Sequence, residues 1–409
     1  MDERNAGKAE KITASTPVEL ENPFSDSGKL KIHFGEGEEY KSQTFFNDRL
    51  EITSRDGLNF SDRAVLAVLP SGRKGQALVV GSYRGVVAYA VKMQNPEMDV
   101  TCHFLDAWAY SEAEKTQVDI QGVDVKLHLG ADPPPGPYDL VIIPMEQRGI
   151  ADLVREQVRL AAGAWLKPGG LCITTSDTTD DKFIRSEMKK TFGAFHIAPD
   201  KEGKRRHGGI AYVAKRPPNR LVNPPSPWTD FTYARHGKVL DFKGRIGVFC
   251  YDRIDPGTRA LLHSVNFPDA RHILDLGCGT GIVGTICALE APESKVTFVD
   301  SNSRAIESSR ANAALHNVES RCEFILSDKP ARALGDSWRF DLVITNPPYY
   351  GNRRIAEMFV ETARNFLEPG GKLLIVTKDA NWYMEKLESW ISSLDLESKG
   401  GYQVLIATR

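Results

Sequence analysis

The chain has 409 residues, 41% of them hydrophobic and 26% charged, with a formal net charge of −2. That size predicts two or three domains with real cores, and the near-neutral balance excludes a polycationic nucleic-acid binder, leaving only local basic patches for such a role. Six scattered cysteines without a CxxC pair argue against a metal or disulfide framework and read as free thiols in a reducing cytoplasm.

Residues 1–45 are rich in Glu, Lys, Ser and Gly and predict a partly ordered polar tail, in which KLKIHFGEG has the makings of an edge strand. No apolar h-region opens the chain and no run approaches a membrane span, so a cytoplasmic protein is expected. From residue 46 onward apolar runs alternate with helical patterns, the signature of an α/β fold with a largely parallel sheet. In RRIAEMFVETARNFL, residues Ile355, Met358, Phe359, Thr362, Ala363 and Phe366 share one helical face, which reads as core packing.

The chain also reads twice. QALVVGSYRGVVAYAVKMQNPEMDVTCHFLD (76–106) resembles HILDLGCGTGIVGTICALEAPESKVTFVD (272–300), and YDLVIIPMEQ (138–147) parallels FDLVITNPPY (340–349). AWLKPGGLCITT (164–175) parallels NFLEPGGKLLIVT (365–377), and HGGIAYVAKR (207–216) parallels KGGYQVLIATR (399–409). Matched blocks in one order, offset by about 200 residues, predict two copies of one α/β unit. The proline-rich KRPPNRLVNPPSPW (215–228) reads as an extended linker, giving units at 46–216 and 217–409. The first copy has lost the acid and the middle glycine of the second, with Val79 and Tyr83 in place of Asp275 and Gly279, and Pro144-Met-Glu-Gln147 in place of Asn346-Pro-Pro-Tyr349. It is expected to be a catalytically dead scaffold.

In the second copy, Asp275-Leu-Gly277-Cys-Gly279-Thr-Gly281 joins a strand to a helix, and Asp300 ends the next strand. A glycine turn lets backbone approach a ligand, and an acid after the following strand suits ribose hydroxyls. The acid ahead of the glycines would repel a pyrophosphate and suits a cationic ligand, which points to S-adenosylmethionine (SAM). Asp328, in FILSDKP, is a candidate acceptor for the adenine amino group. After the fourth strand, Asn346 and Pro347 can each offer a carbonyl oxygen to a planar NH₂ group, whose lone pair is thereby aimed at a methyl donor. Tyr349 supplies a face on which a flat group can stack. No metal-ligand spacing, nucleophilic triad or phosphate-binding GxxxxGK[ST] is present.

DLGCGTG, VD and NPPY together resemble the class I SAM-dependent methyltransferases that modify exocyclic or amide nitrogen, and residues 240–409 resemble their small-domain group. GRIGVFCYDRIDPGTRALL (244–262) is similar to the segment preceding the glycine motif in that group, which implies that Phe249 lines the methionine end. The tandem plan resembles the bacterial ribosomal RNA guanine-N2 methyltransferases. That resemblance implies two Rossmann-like units, each a mostly parallel seven-stranded sheet with an antiparallel terminal strand, the N-terminal one degenerate. It further implies a flipped guanine methylated on its 2-amino group, with the first unit holding RNA or supporting the fold of a monomer. Those enzymes usually carry phenylalanine after the two prolines, where Tyr349 and Tyr350 stand here.

An adenine-N6 or protein glutamine-N5 methyltransferase would use the same NPPY chemistry, and a non-catalytic SAM- or RNA-binding module is the alternative of another class. A ribosomal RNA or subunit partner requires basic residues near the site. The candidates are Lys204, Arg205 and Arg206 in KEGKRRHGG, the KRPPNR run at 215–220, and Arg353 with Arg354 just after the motif.

Overall fold

Short apolar runs such as HILDL and DLVIT are the strands of this protein, buried on both faces as helix-covered parallel sheets require. The computed structural model describes residues 11–12, 30–34, 40–46, 49–54, 58–119, 123–145, 151–178, 181–199, 209–219, 222–264, 267, 269–348 and 353–409. Two compact units divide the chain, Met1–Pro225 and Ser226–Arg409.

In the first unit a four-stranded sheet is formed by β1 (Lys11–Ile12), β2 (Leu30–Phe34), β3 (Tyr40–Phe45) and β4 (Leu50–Ser54), with β2 at one edge. Ile32, Leu50 and Ile52 pack into the core of the larger sheet that follows. That sheet contains β5 (Gly75–Val80), β6 (Met98–Phe104), β7 (Lys126–Leu129), β8 (Tyr138–Ile143), β9 (Leu166–Ser176), β10 (His196–Pro199) and β11 (Ile210–Lys215), in the order β10-β11-β9-β8-β5-β6-β7. The last strand, β11, runs antiparallel to both of its neighbours.

The second unit opens with a hairpin of β12 (Trp228–Arg235) and β13 (Lys238–Arg245), turned by His236 and Gly237 at positive φ. Its seven-stranded sheet contains β14 (His272–Leu276), β15 (Lys295–Asp300), β16 (Cys322–Leu326), β17 (Phe340–Thr345), β18 (Leu367–Thr377), β19 (Ser393–Lys399) and β20 (Tyr402–Thr408). Their order, β16-β15-β14-β17-β18-β20-β19, repeats that of the first unit, again with the last strand antiparallel between its neighbours.

The duplication extends to individual hydrogen bonds. Gly81 N–H donates to the His103 carbonyl at 2.9 Å, and Gly277 N–H to that of Val299 at 2.8 Å. Each turn ends in a glycine at nearly the same positive φ, Gly85 at 74° and Gly281 at 73°, which caps a nine-residue helix (Val86–Gln94 or Ile282–Glu290). Gly169 N–H donates to Arg216 O and Gly370 N–H to Arg409 O, both at 3.0 Å. The side chains of Arg216 and Arg409 donate in turn to the carbonyls of Leu166 and Leu367. Asp139 accepts from Gln76 N–H and Asp341 from His272 N–H at the start of the first paired strands.

The contacts that shape a ligand site are not repeated. In the second unit Asp300 accepts from Gly279 N–H, whereas the strand register puts buried Phe104 in the place of Asp300 and the sequence puts Tyr83 in that of Gly279. Asp275 accepts from Gly284 N–H; in the first unit the matching position is apolar Val79, and Ser82 Oγ accepts from Val87 N–H instead.

Candidate active site

Parallel strands bring two loops to one edge of the second sheet. Leu276 of β14 and Thr345 of β17 are register partners, so the turn that begins at Gly277 and the segment that begins at Asn346 leave the sheet side by side. Phe249, Asp275, Gly277, Gly279 and Asn346 line one cleft there, together with Arg253, Asp255, Cys278, Thr258 and Thr280.

The three glycines are needed for different reasons. A Cβ on Gly281 would lie 2.6 Å from Cα of Ser309, and one on Gly277 would lie 2.9 Å from the Phe359 ring. Both permit close helix packing. A Cβ on Gly279 would meet nothing within 4 Å, although its φ of +56° favours glycine. The backbone here faces open space, as a ligand cradle should.

Asp275 is buried, and burial pushes its carboxyl up to about 7; the Gly284 N–H bond opposes that shift and the nearby Asp300 charge adds to it. Asp300 uses both oxygens on backbone, Oδ2 accepting from Gly279 N–H and Oδ1 from Asn302 N–H, each at 2.9 Å. Its carboxylate therefore shapes the glycine turn directly. Asp328 follows β16, its side chain only 12% exposed and 3.8 Å from Lys329 Nζ. Neither Asp300, Asp328 nor Gly281 is among the residues lining the cleft itself.

Phe249 stands 67% exposed at the rim. The segment before it is held by the start of the Ser303–Leu315 helix: Asn302 Nδ2 donates to Gly247 O at 3.0 Å, and buried Arg304 donates to Ile246 O at 2.6 Å.

Asn346 follows the buried run Leu342–Thr345, and Pro347 is buried beside it. Its amide nitrogen donates to Asp255 Oδ2 at 2.9 Å and to Thr258 Oγ1 at 3.1 Å. Asp255 also caps the Pro256–Ser264 helix by accepting from Thr258 N–H at 3.0 Å. Sequence reading missed Asp255 and Thr258. The Asp-Pro pair signals a helix start, but nothing in it points across 91 residues to Asn346.

Arg353 lies on the far side of the motif, where its guanidinium pairs with Asp379 at 2.6 Å and lies 5.3 Å from the Trp382 ring centroid. Arg354, the first residue of the Arg354–Phe366 helix, is exposed. Tyr349, Lys204, Arg205 and Arg206 lie outside the described residues. Among the described residues no group of three or more His, Cys, Asp or Glu is placed to hold a metal ion, and no helix is long and apolar enough to cross a membrane.

Comparison with known proteins covers both units. The chain is 29% identical over 316 residues to the ribosomal RNA large subunit methyltransferase G of Streptomyces coelicolor, spanning 74% of this chain and 79% of the relative. Ribosomal RNA small subunit methyltransferase C of Yersinia pestis is 35% identical over 167 residues, 40% of this chain and 47% of that protein. The solved T. thermophilus 16S rRNA N2-guanosine methyltransferase, in complex with AdoMet and guanosine, superposes with a TM-score of 0.68 at 22% identity, covering 85% of this chain and 91% of that one. This likeness establishes the tandem fold. Residues 239–406 match the methyltransferase small domain family, and the second unit is a methyltransferase small domain.

Proposed function

We propose that the second unit methylates the exocyclic 2-amino group of a guanine in ribosomal RNA, using SAM. The observation that carries this reading is the shared cleft: a glycine turn with open space before Gly279 lies beside an asparagine whose amide nitrogen is already engaged, leaving its oxygen to accept. The relatives, named as ribosomal RNA methyltransferases, and the neighbour solved with AdoMet and guanosine support it.

The residues present fit SAM. Gly277 and Gly279 offer backbone, Asp275 offers a buried carboxylate suited to a cation, and Asp300, Asp328 and Phe249 are assigned to the ribose, the adenine and the methionine end. When bound, SAM supplies an electrophilic methyl group on a sulfonium.

The chain's own part is positioning. Asn346 Oδ1 and the Pro347 carbonyl accept from the two amine hydrogens, so the nitrogen lone pair points out of that plane. The same oxygens stabilise positive charge developing on nitrogen. Pro347 and Pro348 fix the direction of the backbone, and Tyr349 is assigned as the stacking face. Arg353, Arg354, Lys204, Arg205 and Arg206 are assigned to phosphate contacts. On this reading residues 217–409 are the catalytic domain, 46–216 a degenerate unit that holds RNA or supports the fold, and 1–45 a partly ordered polar segment whose strands at Leu30–Phe34 and Tyr40–Phe45 join the first unit. The enzyme works as a cytoplasmic monomer on ribosomal RNA or a ribosomal subunit.

The test is methyl transfer from radiolabelled SAM to small subunits, large subunits, free ribosomal RNA and release factors, followed by nucleoside analysis. Label in N2-methylguanosine is expected, and label in N6-methyladenosine or in protein glutamine would refute the guanine assignment. Asn346→Ala should lose turnover by about 10²–10³-fold and keep SAM binding.

A further inference from the structure

Asparagine presents two nearly isosteric faces, and only one of them can accept from a substrate amine. Something must decide which face meets the cleft. Asp255 Oδ2 accepts from Asn346 Nδ2 at 2.9 Å, and Thr258 Oγ1 lies 3.1 Å from the same nitrogen. An ionised carboxylate has no proton to give, so it tolerates only the NH₂ end of the amide beside it. With both amide hydrogens engaged, Oδ1 is the acceptor left for a ligand.

We infer that Asp255, assisted by Thr258, is a positioning residue that fixes the amide rotamer of Asn346 and so selects an amine as the acceptor of the methyl group. The inference rests on the functional reading above and adds to it a residue far away in sequence. A flipped amide would present NH₂ to NH₂, which repels the substrate and leaves both of its hydrogens without a carbonyl from this side chain.

The local structure holds Asp255 in place for this task. It caps the Pro256–Ser264 helix through Thr258 N–H, which donates to the same Oδ2 that accepts from Asn346, so the oxygen gripping the amide is itself anchored by backbone. A Cβ on Gly257 would lie 3.0 Å from Asp255 Oδ2 and 3.0 Å from the Tyr402 ring, so the residue after Pro256 must be small for the carboxylate to keep this position.

The experiment compares Asp255→Ser with Asp255→Asn in the full chain. Both side chains cap helices, so a purely structural role predicts the same outcome for both. Serine is too short to reach Asn346, whereas asparagine can place an oxygen where Oδ2 stood. Asp255→Ser is expected to lower kcat for methyl transfer from radiolabelled SAM by at least about tenfold, with KM for the RNA and Kd for SAM changed less than about threefold. Asp255→Asn is expected to recover most of that loss, and Thr258→Val to lower kcat by a smaller factor. If Asn346→Ala keeps wild-type turnover, the functional reading fails and this inference falls with it. If Asn346→Ala is inactive while Asp255→Ser keeps the wild-type rate, or if serine and asparagine impair equally, only the role of Asp255 is overturned.

Discussion

Gly279 and Gly281 offer a direct way to separate folding from ligand binding within one turn. Both hold positive φ, so an alanine at either position pays roughly 1–2 kcal/mol for the left-handed backbone. At Gly281 the new methyl also overlaps Ser309, with Cα and Cβ both at 2.6 Å. A helix must move to relieve that contact, which adds about 1–3 kcal/mol. At Gly279 the methyl meets nothing within 4 Å, so no such overlap arises. For a domain of this size a loss of 1 kcal/mol lowers the melting temperature by roughly 2–4 °C. Gly279→Ala should therefore melt about 2–8 °C below the parent, whereas Gly281→Ala should melt roughly 4–20 °C below it or fail to fold. Calorimetric titration with SAM should show the opposite ranking for direct interference. Gly279→Ala should bind at least about tenfold more weakly while still folded, because its methyl occupies the space a ligand needs. Unchanged affinity in Gly279→Ala would refute the assignment of this turn as the cradle.

Further outcomes follow from the same geometry. The Asp275 carboxyl is raised to about 7 in the folded state, mainly by burial, so the folded chain holds a proton that the unfolded chain has lost. Its contribution therefore makes the unliganded unit less stable as pH rises from about 4 to about 7. A cationic ligand favours the carboxylate, so SAM affinity should increase by up to tenfold per unit on raising pH towards 7 and then level off; Asp275→Asn should abolish that dependence in a titration series. Equilibrium binding should give one SAM per chain, because Val79, Tyr83 and Phe104 stand in the first unit where the second has Asp275, Gly279 and Asp300. Arg354→Ala should lower the slope of log affinity for RNA against log salt by about 0.7–0.9. Arg353→Ala, whose guanidinium already faces Asp379, should lower it by less.

Much of the fold was legible because it depends on properties carried along the chain. Apolar runs such as DLVIT and the glycine turn both keep their neighbours in sequence, and the second copy repeated each sign with the same spacing. The Gly169–Arg216 and Gly370–Arg409 pairs were not visible in that way, although both blocks were recognisably alike; their partners are brought together only when strands pair. The site divided along the same line. Phe249, Asp275, Gly277, Gly279 and Asn346 meet in one cleft; the last four were marked by residue types unusual where a strand gives way to a loop, and Phe249 by the resemblance of its segment. Asp300 carries an additional duty in bracing the glycine turn, which a spacing rule cannot reveal. Asp255 went unmarked because its second partner, Asn346, comes from another loop. Arg353 was read as a candidate phosphate contact, and its pairing with Asp379 was not visible because that acid is distant in sequence.

The pairing of Leu276 with Thr345 works as a ruler. It sets Gly277 and Asn346 apart by about one interstrand spacing, near 4.8 Å, a distance written in backbone hydrogen bonds. Point mutations in the cleft cannot lengthen or shorten it. A slip of one residue would shift one side by about 3.3 Å and turn its side chains to the opposite face, destroying the core as it moved the site. A lineage that changes substrate on this scaffold must therefore leave the donor-to-acceptor gauge alone and vary the segments outside it, before Asp255 and after Pro348.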